Sequence, residues 1–137
     1  MKKYKVLDHI SDLKIKVFGR NLKELFTNAM IAMFEAARYK PCSRIQKKIK
    51  RKLKVSSIDL PSLLVDFLGE VLYLSEAHQE VYCEIQFEKI TNKEVEATLI
   101  GQRLERKGIV IKGVTYHNLN VCLNKDNIWE ATVLFDI

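Results

Sequence analysis

The sequence predicts a single α+β domain in which two amphipathic helices pack on an antiparallel β-sheet. Two stretches carry apolar residues at helical spacing, and most of the remaining chain alternates apolar and polar residues as half-buried strands do. Short turn segments separate the alternating stretches, which is typical of antiparallel hairpins. A length of 137 residues is that of one domain, so residues 1–137 are treated as one unit.

The N-terminal part predicts two strands followed by a helix. The runs Lys3 to Leu7 and Leu13 to Phe18 are short and alternating, as expected of strands. Asn21 precedes the first helical stretch, and Glu24 stands three residues later in capping-box position. The helix therefore begins after Asn21, and we expect it to end before Pro41.

The stretch from Gln46 to Ser56 predicts a strand with a basic outer face. Its apolar residues share one parity, and its lysines share the other: Lys48, Lys50, Lys52 and Lys54. Because strand side chains alternate between faces, we expect these lysines to form a row in solvent. The basic segment 44–54 allows a nucleic-acid-binding module as an alternative function. No aromatic residues interleave the lysines to stack on bases, so an edge strand protected from aggregation is favoured.

A second helix is predicted from Asp59, its cap, to about His78, with Pro61 in the first turn. Beyond this helix the alternation predicts mostly strands. We place them at residues 81–87, 95–99, 110–117, 119–123 and 128–137. The turn segments 91–93, 106–108 and 124–127 suit hairpins.

Composition and charge limit the classes of function. Residues 1–58 hold 16 basic and 4 acidic residues, and residues 59–137 hold 7 and 13, so the net charge of +6 is unevenly distributed. Such asymmetry can mark a charged partner. No apolar run is long enough for a signal peptide or a membrane span, so we expect a cytoplasmic protein without membrane contact.

The three cysteines, Cys42, Cys83 and Cys122, lie far apart and are expected to be buried free thiols.

Three places could carry chemistry. The first is the segment His9 to Asp12 between two strands, where an aspartate is ordinarily a turn or cap residue. The second is the pair Asp136 and Ile137, because adjacent side-chain and terminal carboxylates repel each other unless they are solvated or bridged by a cation. The third is the segment Lys112 to His117, in which Gly113 could mark a bulge or a close backbone approach.

In this order along the chain, these stretches resemble the motifs of the archease family. His9 to Asp12 matches its opening His-Thr-Ala-Asp motif, and Phe135 to Ile137 matches its closing Phe-Asp-aliphatic motif. Between them, Leu22 to Phe26 and Leu63 to Leu68 match its two helices, and Lys112 to His117 matches its Lys-x-Val-Thr-Tyr-His strand. The resemblance covers essentially the whole chain. No single motif is diagnostic, but five motifs in register are specific.

The resemblance implies a metal site and names its ligands. Carried over, the ligands are Asp12, Asp136 and Ile137, the last through its backbone and terminal carboxylate. Lys112, His9 and His117 are the implied functional neighbours. An all-oxygen ligand set suits a hard divalent cation, so calcium is expected, with magnesium or manganese as alternatives.

The resemblance also implies a function without catalysis of its own. Archeases activate a GTP-dependent RNA ligase in tRNA splicing and RNA repair, promoting guanylylation of the ligase and multiple turnover. The protein would contact RNA only indirectly, through the ligase. The resemblance implies no oligomeric state. Departures from the family pattern are Ile10-Ser11 for Thr-Ala, Gly69 for Asn and Gln102 for Glu, and none removes a ligand. A metal-dependent hydrolase built on Asp12, Asp136 and His117 is the remaining alternative.

Overall fold

The computed structural model describes residues 2–7 and 12–137, without the side chains of Leu7 and residues 116–119. This part of the chain forms seven strands and two helices. In chain order they are β1 (Tyr4–Leu7), β2 (Asp12–Gly19), α1 (Leu22–Ala36), β3 (Ile49–Ser56), α2 (Leu60–His78), β4 (Glu80–Ile90), β5 (Glu94–Arg103), β6 (Gly113–Leu123) and β7 (Trp129–Asp136). The predicted α+β class is confirmed.

Both helices begin at the caps that the sequence predicts. The backbone N–H of Glu24 donates to Oδ1 of Asn21 at 2.9 Å, and the N–H of Ser62 donates to Oδ1 of Asp59 at 2.8 Å. These bonds satisfy amide groups that the first turn of a helix leaves without partners. After His78, Gln79 takes a left-handed conformation with φ of 54°, which ends α2.

The strands form two antiparallel sheets instead of one. The four-stranded sheet has the order β1-β2-β7-β6, and the three-stranded sheet has the order β3-β5-β4. The last strand of the chain, β7, therefore lies in the interior of its sheet, between β2 and β6. Strand β3, which carries the lysines, is an edge of the smaller sheet.

The core lies where both helices meet both sheets. Helix α1 packs mainly on β2 and β4, and α2 packs on β6 and on all three strands of the smaller sheet. Phe26 of α1 and Phe67 of α2 are fully buried, with ring centroids 5.2 Å apart. Aromatic contact thus joins the two helices at the centre of the fold.

Two predicted local features are wrong. Residues 106–108 are not a hairpin turn, because β5 and β6 belong to different sheets. The connection instead crosses the C-terminal end of α1, where the N–H of Ile109 donates to the carbonyl of Ala37 at 2.7 Å. Residues 113–123 form one strand instead of two, with a register shift between Thr115 and Asn120.

The prediction of three free thiols is also wrong. Cys42, in the connection between α1 and β3, forms a disulfide with Cys83 of β4. Their Cα atoms are 6.3 Å apart, although 41 positions separate them in the sequence. Both are partly exposed, and only Cys122 of the described cysteines is free. Pairing depends on how the α1–β3 connection folds back over β4, and residue spacing does not reveal this.

Candidate metal centre

The two aspartates of the predicted metal site lie directly opposite each other. Asp12 begins β2, Asp136 ends β7, and the antiparallel register pairs them. Opposed residues of such a pair have Cβ atoms about 4.5–5.5 Å apart, and their side chains lie on the same face. The strands therefore bring together two carboxylates from opposite ends of the sequence.

Strand β6 brings the third predicted segment to the same place. Gly113 pairs with Asp136, and the backbone N–H of Lys112 donates to the carbonyl of Asp136 at 2.7 Å. A Cβ atom at position 113 would lie 3.9 Å from Oδ2 of Asp136. The carboxylate of Asp136 thus lies over the glycine, and Lys112, whose side chain is exposed, stands one residue beyond it. At 3.9 Å this would be ordinary van der Waals contact, so the structure does not show the close backbone approach that the sequence suggested for Gly113.

The two aspartates can be judged by their charge, their exposure and their donor atoms. Like charges directly opposite each other destabilise a strand pair. Asp136 is exposed and Asp12 is partly exposed, so both are accessible to an ion from solvent. Carboxylate oxygens are the donors that calcium and magnesium prefer. The donor chemistry of the pair therefore fits the predicted cation.

Two side-chain carboxylates do not complete a coordination shell. Among the side chains that the structure describes, which leave out His9 and His117, no three His, Cys, Asp or Glu come together as a metal-binding group. Ile137 follows Asp136 directly and is about one-third exposed. The further ligands predicted at this end of the sheet are the backbone and terminal oxygens of Ile137.

The two histidines predicted as neighbours cannot be placed by their side chains. His9 lies outside the described residues. His117 belongs to β6, but its side chain is outside the described part of the structure. Their predicted roles remain predictions.

The lysine row lies on the other sheet. Lys50, Lys52 and Lys54 alternate along β3 and are exposed, and Lys48 directly precedes the strand. Acidic residues lie close to two of these lysines: Lys48 Nζ is 3.8 Å from Glu84 and Lys54 Nζ is 3.3 Å from Glu96. Partial neutralisation of the row favours the protected edge strand over a phosphate-binding face.

Sequence reasoning missed one buried charge cluster. Arg51, which stands among the lysines but on the opposite face of β3, forms an ion pair with Glu80 of β4. The alternation of the strand does signal that Arg51 faces inward, since it shares parity with the buried Leu53. Its partner could not be found without the order of the strands.

Comparison with known proteins agrees with this arrangement of strands and motifs. Residues 4–137 match the Archease protein family. The chain belongs to the archease family. An archease of Methanosarcina barkeri is 35% identical, in an alignment covering 99% of this chain and 97% of the relative. An archease of Sulfurisphaera tokodaii is 28% identical and is covered completely.

Solved structures confirm the archease fold. Protein 1598 of Methanobacterium thermoautotrophicum, known from a solution structure, superimposes with a TM-score of 0.72 at 24% identity, and each chain is covered completely. A crystal structure from Thermotoga maritima, described as an archease and possible chaperone, gives a TM-score of 0.69 at 18% identity, covering 97% of this chain and 96% of the other. As for membranes, neither described helix combines the length and the apolar character that a span requires.

Proposed function

We propose that this archease is a metal-binding accessory protein that activates a GTP-dependent RNA ligase in tRNA splicing and RNA repair. The observation that carries the proposal is the pairing of Asp12 with Asp136 beside Gly113. Membership of the archease family supports it, because the resemblance assigns metal binding to these aspartates. The activator promotes guanylylation of the ligase and its repeated turnover, and acts in the cytoplasm.

The proposed ligands are Asp12, Asp136 and Ile137, with calcium as the metal and magnesium or manganese as alternatives. The cation would neutralise the opposed carboxylates and leave positions open to oxygen atoms of a partner. Lys112 extends into solvent beside this site. Its ammonium group would contact a phosphate or an acidic residue of the ligase.

The protein itself has no catalytic residue in this proposal. Its action is to help arrange metal and nucleotide in the active site of the ligase, so RNA is met through the ligase. A metal-dependent hydrolase would need ligands that hold an ion and a water on this chain alone. Hydrolysis of a phosphodiester by the purified protein, lost on Asp12→Ala, would favour that alternative.

The direct test counts ligation events for each ligase molecule. The cognate ligase is supplied with GTP, divalent metal and an excess of broken RNA, with and without the purified protein ending at Ile137. Two variants accompany the native protein: Asp136→Ala removes a proposed ligand, and Asp126→Ala removes an exposed acid from the hairpin turn before β7. We expect the native protein and the Asp126 variant to raise turnover equally, and the Asp136 variant to fail.

The other outcomes separate the parts of the proposal. Equal stimulation by all three proteins would retain ligase activation and reject the metal centre. No stimulation of an active cognate ligase by the native protein would reject the function itself. A folded Asp12→Ala protein that still activates fully would also reject the site, and circular dichroism establishes whether each variant is folded.

A further inference from the structure

The Cys42–Cys83 disulfide lies apart from the metal centre and plays no part in the function proposed above. It joins the α1–β3 connection to the smaller sheet. Cys83 stands between Tyr82 and Glu84, where the register of β4 against β5 shifts. A shift of this kind re-aims a side chain that regular pairing would direct elsewhere. The bond is therefore located at an irregular position of the sheet.

Both sulfur-bearing residues can be reached from solvent. Cys42 and Cys83 are each partly exposed, and both line a groove between residues 42–48 and the sheet. They also line a mainly apolar cavity whose wall includes Phe34 and Tyr82. The disulfide thus forms part of the wall of two cavities, and exposed disulfides are generally more labile than enclosed ones.

The groove carries a net positive charge. Arg44 and Lys48 contribute two cations to its lining, and Glu84 contributes one acid. Glu84 is 3.8 Å from Lys48 Nζ, so it offsets that lysine in part, and the side chain of Arg44 is exposed. Nearby cations favour the thiolate form of cysteine and attract anionic reactants.

Other contacts hold the same segment in place independently of the disulfide. The backbone N–H of Ser43 donates to Oε1 of Gln102 at 2.9 Å, and the N–H of Lys40 donates to the carbonyl of Arg106 at 3.1 Å. Lys40 also forms an ion pair with Glu105. Opening of the disulfide therefore leaves the α1–β3 connection attached to β5 and to the segment that follows it.

We propose that Cys42–Cys83 is a thiol–disulfide exchange site whose reaction partner is a small anionic thiol entering through this groove. A thiolate of the small molecule attacks one cysteine sulfur, a mixed disulfide forms, and the other cysteine leaves as a thiolate that takes up a proton. A second small thiol attacks the mixed disulfide and frees the remaining cysteine. Two small thiols are oxidised to one disulfide, and the protein disulfide is reduced to two thiols.

The first experiment establishes whether the Cys42–Cys83 disulfide of the folded protein undergoes exchange with a small thiol. It uses a Cys122→Ser background, so that Cys42 and Cys83 alone can be labelled. Protein purified in air is treated with 2-mercaptoethanesulfonate, the thiols are alkylated at intervals, and mass spectrometry counts the labels. We expect no label before treatment, a transient mixed disulfide, and then two labels, with the circular dichroism spectrum of the helices unchanged.

The second experiment tests the role of the groove charges. Cysteamine, a cationic thiol of similar size, is compared with 2-mercaptoethanesulfonate at low ionic strength, each rate being divided by that on a small uncharged disulfide. We expect the anionic thiol to react about tenfold faster, since one net charge about 6 Å away in water alters the local concentration of each thiol about threefold. Arg44→Gln should reduce this ratio, and Lys125→Gln, in a distant turn, should not.

Three results would overturn the proposal. Two free thiols in the air-purified protein would mean that the disulfide does not form. A disulfide that reacts only after urea unfolds the protein would be structural. Equal normalised rates for the two thiols, unaffected by Arg44→Gln, would exclude selection by the groove. Failure of the ligase assay bears on none of these measurements, so the two proposals can be judged separately.

Discussion

The guanidinium of Arg51 holds the carboxylate of Glu80 with two hydrogen bonds, from Nε to Oε1 at 2.9 Å and from Nη2 to Oε2 at 2.8 Å. The hydroxyl of Tyr82 donates a third to Oε1 at 2.7 Å. The side chain of Glu80 is only 4% exposed. A buried carboxylate of this kind is tolerated because three hydrogen bonds satisfy it, two of them from a cation.

Removal of the arginine should destabilise the protein strongly. Arg51→Met leaves the buried carboxylate of Glu80 without its cation, so the free energy of unfolding should fall. Urea unfolding measures the change in free energy. Lys52→Met, at the next and exposed position of β3, is the matched control and should alter stability by less than about 0.5 kcal/mol. Equal changes in the free energy of unfolding for the two substitutions would show that the Arg51–Glu80 pair does not stabilise the fold.

The same pair makes stability depend on acid pH. Hydrogen bonds from Arg51 lower the pKa of Glu80, and burial opposes them only in part. Because the folded pKa is below the unfolded one, this stabilisation is present above the unfolded pKa of about 4.3 and is lost as pH falls through the folded pKa. We expect the free energy of unfolding of the native protein to fall below pH 5 more steeply than that of Glu80→Gln. If the free energies of unfolding of the two proteins fall in parallel as the pH is lowered, the prediction is wrong.

Neutralising one aspartate of the metal centre should have opposite effects with and without metal. In EDTA, Asp136→Asn removes repulsion from Asp12 and should stabilise the protein by about 0.5 kcal/mol. With calcium, the native protein should gain thermal stability because ligands stabilise the state that binds them, and the variant should not. Differential scanning fluorimetry measures both. Asp126→Asn is the control, and an equal calcium-dependent gain in all three proteins would locate the ion elsewhere.

Two glycine substitutions should change stability in opposite directions. Gly69 lies within α2 with no atom within 4 Å of an added Cβ, so Gly69→Ala should stabilise the protein by about 1 kcal/mol. At Gly108, an added Cβ would collide with the carbonyl oxygen of Ala37, so Gly108→Ala should destabilise it. Thermal unfolding of the two variants checks both signs. If Gly108→Ala leaves the thermal stability unchanged, the 104–112 connection does not pack closely on the end of α1.

The lysine row should protect the edge strand and not serve the ligase. Replacing Lys50 and Lys52 by threonine leaves a strand-forming but uncharged edge, so we expect faster aggregation by light scattering and unchanged ligase stimulation. Lys93→Thr with Lys125→Thr removes the same charge from turns and is the control. Loss of RNA binding or of ligase stimulation in the β3 variant alone would instead support the nucleic-acid alternative.

Local chemistry in the sequence was enough to predict where the two helices begin. Asn21 and Asp59 cap the two helices as predicted, because a capping side chain bonds amides only a few residues away. The metal ligands followed from family resemblance. The structure then brought Asp12 and Asp136 together through a pairing that neither segment shows alone.

Features that depend on contacts distant in the sequence were missed. Residues 106–108 have the composition of a hairpin turn, yet the chain passes there from one sheet to the other. Whether a turn joins neighbouring strands depends on which sheet each strand enters. The Arg51–Glu80 pair required the order β3-β5-β4, and the Cys42–Cys83 disulfide required the path of the α1–β3 connection over β4; no local pattern encodes either.

The interior position of β7 has a consequence for synthesis of the protein. On the ribosome, β1, β2 and β6 all emerge before the strand that must separate β2 from β6. The larger sheet can therefore close only when residues 129–136 have left the exit tunnel, and Asp136 is then paired with Asp12 in the same event. Formation of the proposed metal site is thereby coupled to the emergence of this strand, and a chain interrupted before β7 would lack the pairing of Asp12 with Asp136.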